Sequence, residues 1–326
     1  MNANTKKKLS DNMIWLVLVV LVIIMSIANP KFFTIANLRT LLTGESIKGI
    51  MAFGVAFAIL TKGIDLSIGA SAALIACVTG ALVQPVDLAT KALANFGVQV
   101  PAIVAILLGM VMGVIIGALQ GLLIAYTKMP AFIATLGGQL ICRAAAKIFT
   151  TRPVSNLSDG YRWLGSGMIG PIPVIVVVFL IVFALAAFIL GQTRFGKSLY
   201  AIGGNDQAAR VAGINVERNL VLTYIWCGAC AALGGILLAG RAGSADRANS
   251  GLNYELDAIA AATVGGTSHT GGICRVTGVF CGILILGVIN NGLVLIGVND
   301  NYTNIIKGLI IIGAVALDMR KNARKA

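Results

Sequence analysis

Gly191, Gly196, Lys197 and Ser198 carry the G-x4-G-K-S spacing of a phosphate-binding loop. Such a loop works after a buried strand and before a helix, inside a soluble α/β domain. Here the preceding residues, 172–190, are an apolar run of membrane-helix length, and no room remains for a nucleotide domain. The match is accidental, and ATP binding by this chain is not expected. Cys227 and Cys230 form a CxxC, yet they sit inside an apolar run without a second ligand pair, so neither metal nor redox chemistry follows. The sole histidine, His269, falls in a turn and receives no role. Three polar residues stand out of place among apolar neighbours. Asp65, in the stretch TKGIDLS, is placed to N-cap a helix over 66–83, and a part in gating or substrate passage is the alternative. Asn290 and Asn291 are adjacent amides inside an apolar run and must find partners there, either across helices or on a polar substrate. No His/Asp/Glu cluster is present to make or break a covalent bond. The chain therefore reads as no enzyme, and nothing in it asks for a metal or a cofactor.

The composition says what kind of scaffold must hold these residues. The chain is 58% hydrophobic and only 11% charged, with a mean hydropathy of +0.92. Soluble domains carry about 25% charged residues, so this chain cannot cover a water-facing surface and uses lipid as its solvent. A net charge of +13 would suggest nucleic acid in a soluble protein. Aromatic residues are sparse and the charges form no single stripe, so no nucleic acid is expected and the positive-inside rule accounts for the charge. The six cysteines all lie in apolar runs, as small reduced hydrophobes do.

The expected fold is all-α: one polytopic membrane domain over 1–326, with about ten transmembrane helices in two related halves. The runs are 13–28, 46–60, 66–83, 100–126, 131–149, 172–190, 219–240, a short or broken helix beginning at 255, 276–296 and 303–317. The first resembles a signal peptide, but many spans follow and it is taken as an uncleaved span. Residues 31–43 read as an amphipathic connector. Gly109, Gly113, Gly117 and Gly121 recur every four residues, a smooth face on which another helix can pack closely. Gly113-x3-Gly117 is answered by Gly278-x3-Gly282, and the break around Gly63–Asp65 by one around Gly265–Gly266. Paired interrupted helices in two halves point to a transport pathway. With both termini cytoplasmic, fourteen basic residues fall inside and seven outside, which favours this orientation over its reverse. The ionisable residues expected inside spans are Lys48, Arg143, Lys147 and Lys307, with no carboxylate among them. That argues against one reading of such a pathway, a secondary transporter or channel coupled to ions.

One long hydrophilic interval, 192–218, interrupts the apolar runs. Within it Asn205 can cap a short helix from Asp206 to Ala212, which Gly213 ends. Gly203 and Gly204 would let the backbone turn sharply. Ala208 and Ala209 would offer a small face to an approaching surface, and Arg210 could reach an acidic rim. A connector needs no caps at both ends, so the interval reads as a docking knob for a soluble partner.

These residues also carry a resemblance. GIDLSIG (63–69), FIATLG (132–137), TRFGKSLYAIGGNDQAARVAGIN (193–215), YELDAIAAATVGGTSHTGG (254–272), INNGL (289–293) and IKGLIIIGAVALD (306–318) spread over nearly the whole chain. Together they resemble the membrane-spanning permease subunits of bacterial monosaccharide ABC importers of the ribose/galactose type. The resemblance implies a multi-pass protein of the bacterial inner membrane with a second permease subunit, a homodimer by preference. It also implies a cytosolic ABC ATPase subunit docked on the region from Asn205 to Gly213, and a periplasmic sugar-binding protein that delivers substrate. Alternating access would then carry the substrate across the dimer axis. The sugar stays open, because relatives with the same motifs serve pentoses, hexoses, nucleosides or a furanone-like signal.

Overall fold

The computed structural model describes residues 13–88, 91–93 and 97–323. Lys6 to Lys8, Arg324 and Lys325, which enter the charge count, lie outside the described residues. Thirteen helices and one two-stranded hairpin follow in order among the described residues. They are α1 (Met13–Ala28), α2 (Ile35–Leu60), α3 (Ile68–Val83), α4 (Ala102–Thr127), α5 (Ala131–Phe149) and α6 (Asp159–Ser166). Strands β1 (Met168–Ile169) and β2 (Ile172–Pro173) pair antiparallel, with Ile169 opposite Ile172. Then come α7 (Val174–Gln192), α8 (Arg194–Gly204), α9 (Asp206–Val211), α10 (Val216–Ala242), α11 (Tyr254–Val264), α12 (Val276–Leu295) and α13 (Asp300–Ala323). Six of these, α2, α4, α5, α7, α10 and α12, are long and apolar enough to cross a membrane, and α1 and α3 are shorter apolar helices. Each of the ten apolar runs in the sequence is a helix, so the protein is a helical polytopic membrane protein.

The centre of the fold is α2, whose residues from Glu45 to Leu60 are buried apart from Lys48. Its aromatic side chains stack into the core, Phe53 on Phe179 of α7 and Phe57 near Trp226 of α10. The helix begins at Ile35, well before 46. Thr34 Oγ1 accepts the Asn37 N–H and no proline interrupts the following 26 residues, so the expected connector over 31–43 is largely helix. Glu45 thereby comes to lie within the span.

The glycine faces do what close packing requires. A Cβ at Gly113 would collide with the Gly228 carbonyl and one at Gly117 with that of Tyr224, so α4 and α10 touch through their backbones. In the other half, Gly278 and Gly282 meet the carbonyls of Gly265 and Ala261, so α12 lies on α11 in the same manner. Van der Waals contact at such crossings holds helices together where lipid gives no hydrophobic drive. The two interruptions are present as well: α2 stops at Leu60 with α3 starting at Ile68, and α11 ends at Val264, where Gly266 takes φ +86°.

Candidate functional site

The knob is built by local bonds. Thr193 Oγ1 accepts the Gly196 N–H to start α8, Asn205 Oδ1 accepts the Ala208 N–H to start α9, and Asn215 Oδ1 accepts the Arg218 N–H to start α10. Gly213 takes φ +81°, the left-handed region, directly after α9. The phosphate-loop lookalike is thus the end of one helix and the start of another, with an apolar helix before it where a strand would be needed. Three details differ from the sequence reading. Ala209 is buried among Ile202, Ile214, Val216 and Leu220, so it anchors α9 to the body while Ala208 stays exposed. Arg210 pairs with Glu217 of the same chain. Gly203 and Gly204 are the last helical residues of α8 and make no sharp turn. Gly203 is small because the Leu60 carbonyl and Gly272 press against it. The outward surface of α9 includes Val211, which is 91% exposed, an apolar tip that the sequence did not single out.

The α8 helix touches both interruptions. Tyr200 Oη donates to the Cys274 carbonyl at 2.7 Å, and the Gly272 N–H donates to the Leu60 carbonyl at 2.9 Å. The ends of the two broken helices are therefore tied to each other and to the segment that carries α9.

The three polar residues singled out earlier part company. Asp65 is buried, and its Oδ1 accepts the Ser67 N–H at 2.9 Å and the Ser67 hydroxyl at 2.7 Å, while Gln120 Nε2 donates to that same hydroxyl. It shapes the turn before α3 and is not the N-cap, which is Ser67. Asn291 exchanges two amide hydrogen bonds with Asn37 of α2, at 2.8 and 2.9 Å, so it joins helices. Asn290 has no such partner: its buried Oδ1 is without a hydrogen-bond partner among the described residues. It lines a pocket of about 260 Å³ together with Lys48, Val294, Thr303, Asn304 and Lys307.

Beside that pocket lies a charge cluster. Lys48 Nζ is 2.9 Å from Asp257 Oδ2 and 3.4 Å from Glu45 Oε1, and Lys307 Nζ is 3.2 Å from Asp257 Oδ1. The Lys48 ammonium also sits 5.6 Å from the ring centre of Tyr254. A second buried acid, Glu255, accepts from Gln139 Nε2 at 3.0 Å. Arg143, expected inside a span, donates to the carbonyls of Ala248 and Ser250 and ties down the loop before α11.

A family model described as a branched-chain amino acid transport system permease component matches residues 37–315. The chain belongs to that permease-component family. The galactose/methyl galactoside import permease of Escherichia coli K12 is 42% identical over 337 residues, covering 100% of both chains. The ribose import permease of Bacillus subtilis 168 is 42% identical over 310 residues, covering 94% of this chain and 92% of that protein. The ribose import permease of Escherichia coli K12 is 39% identical over 322 residues, with 97% and 96% covered. No solved structure matches the chain.

In this permease the sequence reading missed the acids of the cluster. It expected no carboxylate within spans, and the structure overturns that: Glu45 is buried in α2, and Glu255 and Asp257 open α11 among packed helices. Glu45 was missed because the start of α2 was set too late. The signal that could have found it is the absence of any helix breaker between Ile35 and Lys48 other than Gly44, which a helix tolerates at about 1 kcal/mol. Asp257 was read as part of a weakly apolar helix whose neighbours in space, Lys48 and Lys307, are far away in sequence.

Proposed function

We propose that this chain is the membrane-spanning permease subunit of an ATP-driven importer that takes a monosaccharide delivered by a periplasmic binding protein. The observation that carries this is end-to-end similarity to permeases named for galactose and ribose import, at 42% identity. The geometry adds a means of coupling. α9 is a capped, exposed helix fit to dock a cytosolic ATPase through Asn205, Asp206, Ala208, Arg210 and Gly213, with Ala209 holding it to the body. Movement of α9 passes through α8 to Leu60 and Gly272, the ends of both interrupted helices. Asn290 is the pathway residue best placed to meet substrate, while Asp65 and Asn291 hold the helices around the path.

The partners are the ATPase, the receptor, membrane lipid and a second copy of this chain, in a bacterial inner membrane with both termini cytoplasmic. Reporter fusions after Asn156 and Asn249 then read outside, and fusions after Asp206 and Ala323 inside. Glu45 and Asp257 do not by themselves favour an ion-coupled carrier, since each is paired with lysine. The deciding test reconstitutes the permease with its ATPase and receptor in liposomes. Vanadate stops uptake and a protonophore does not; the opposite pattern overturns the ATP-driven reading. A branched-chain amino acid, nucleoside or furanone-like compound bound to the purified receptor would overturn the monosaccharide assignment.

A further inference from the structure

The charge cluster and the pocket beside it carry a further inference, which rests on the sugar-import reading. Glu45, Lys48, Asp257 and Lys307 alternate in sign along a chain of ion pairs drawn from α2, α11 and α13. Two ammonium groups and two carboxylates leave the group with no net charge. Lys48 and Lys307 both line the pocket, so its wall shows ammonium donors whose charge is already answered from behind by Asp257 and Glu45. Beside the lysines the wall carries neutral groups, the side chains of Thr303 and Asn290. The Asn290 Oδ1 is buried without a hydrogen-bond partner among the described residues; once the amide turns toward the pocket, a ligand hydroxyl satisfies it without bringing charge. The lysine N–H groups not used on Asp257 can in turn donate to ligand oxygens. About 260 Å³ lies below the ~300–1,000 Å³ of drug-sized ligand sites, which suits one small ring.

We propose that this pocket is a subsite for a neutral polyol, and that the Glu45–Lys48–Asp257–Lys307 quartet keeps its wall electroneutral so that charged sugars are refused. An anion entering would need a lysine released from Asp257, and a cation would need Asp257 released from both lysines. Either exchange breaks a partly buried ion pair among helices, whereas hydroxyl groups bind with all four charges still paired. Electroneutrality here is a device for selectivity as well as for packing.

The test uses Asn304→Cys in the full-length permease in liposomes, since Asn304 is exposed on the pocket rim and the six native cysteines are all buried. Labelling rates are measured with anionic and cationic methanethiosulfonates, alone and with free galactose, ribose or galacturonate. Galactose or ribose slows labelling and galacturonate at the same concentration does not. Asp257→Asn, which leaves the wall with one net positive charge, raises the anionic-to-cationic rate ratio roughly tenfold and lets galacturonate protect. Lys307→Met moves the ratio the opposite way. The double variant Asp257→Asn/Lys307→Met returns it to the starting value, and a cooperative thermal transition of each single variant in detergent shows that it is folded. Equal protection by galacturonate with the quartet intact, or a ratio unmoved by both single variants, overturns the proposal. ATP-driven sugar uptake without protection by either neutral sugar defeats the subsite and leaves the import reading standing. Protection with the stated charge pattern but no ATP-driven uptake defeats the import reading and leaves the subsite.

Discussion

Two polar regions interrupt this apolar protein, and they are assembled in opposite ways. The knob around α9 is held by bonds between residues no more than seven apart: Thr193 to Gly196, Asn205 to Ala208, Arg210 to Glu217. The quartet joins residues 45 and 48 of α2 to 257 of α11 and 307 of α13, so none of its bonds between helices exists until the helices have packed. The first region is water-facing and can be altered without touching the spans. The second sits among spans, where an ion left without its partner is costly. A local polar motif suits a part that meets a soluble partner, and a distributed one suits a site that must feel how three helices stand.

The largest expected effect on Tm tests the distributed side. Asp257→Leu leaves Lys48 and Lys307 without their shared carboxylate and costs about 2–3 kcal/mol, less than the ~3–5 kcal/mol of a fully buried pair because these groups are only partly buried. Thermal unfolding in detergent should show a clear fall in Tm; an unchanged Tm would mean that the quartet contributes nothing to the fold. Ala209→Pro strikes the local side. It places proline inside α9, at a cost of ~3 kcal/mol or more confined to that short helix. Membrane levels and Tm stay at the parental value, while co-purification of the ATPase and sugar uptake are lost. Uptake at the parental rate would remove α9 from the docking role.

Smaller effects sharpen the contrast. Asn205→Ala deletes the α9 cap and costs about 1 kcal/mol, so docking weakens without vanishing and uptake falls only in part. A fall in Tm as large as that of Asp257→Leu would show that the knob is not independent of the spans. The smallest effect is one of pH, at a local motif in the loop before α11. The Ala248 N–H, with the Asn249 amide beside it, holds the Asp246 carboxyl below the usual carboxylate value. A depressed folded pKa means stabilisation that is present above the ordinary value of ~3.9 and lost as pH falls through the lower folded value. Hydrogen-exchange protection at Ala248 should therefore drop below about pH 4, and Asp246→Asn should abolish that dependence. A pH-independent protection factor would deny the carboxylate its part in the turn.

What the sequence alone determined follows from forces that act locally or on composition. Lipid as solvent selects long apolar runs, and each of the ten runs is a helix. Caps such as Asn205 act within three residues, so α9 could be read directly, as could the two helix interruptions, whereas α10 begins at Val216, three residues before the run set at 219. The glycine faces were legible too, because spacing by four fixes one side of a helix before any partner is known.

The tertiary structure decided which polar residue meets which. Asn290 and Asn291 are adjacent in sequence, yet they differ by about 100° around α12, so one pairs with Asn37 and the other turns to the pocket. Gly203 looked like a turn residue until the Leu60 carbonyl stood against it, and Arg210 looked free to reach a partner until Glu217 did. Asp257 has both of its lysines at sequence distances that no local rule spans, one of them more than two hundred residues away. A charge among helices is stable only beside its counter-ion, and only the packing of α2, α11 and α13 brings these four together.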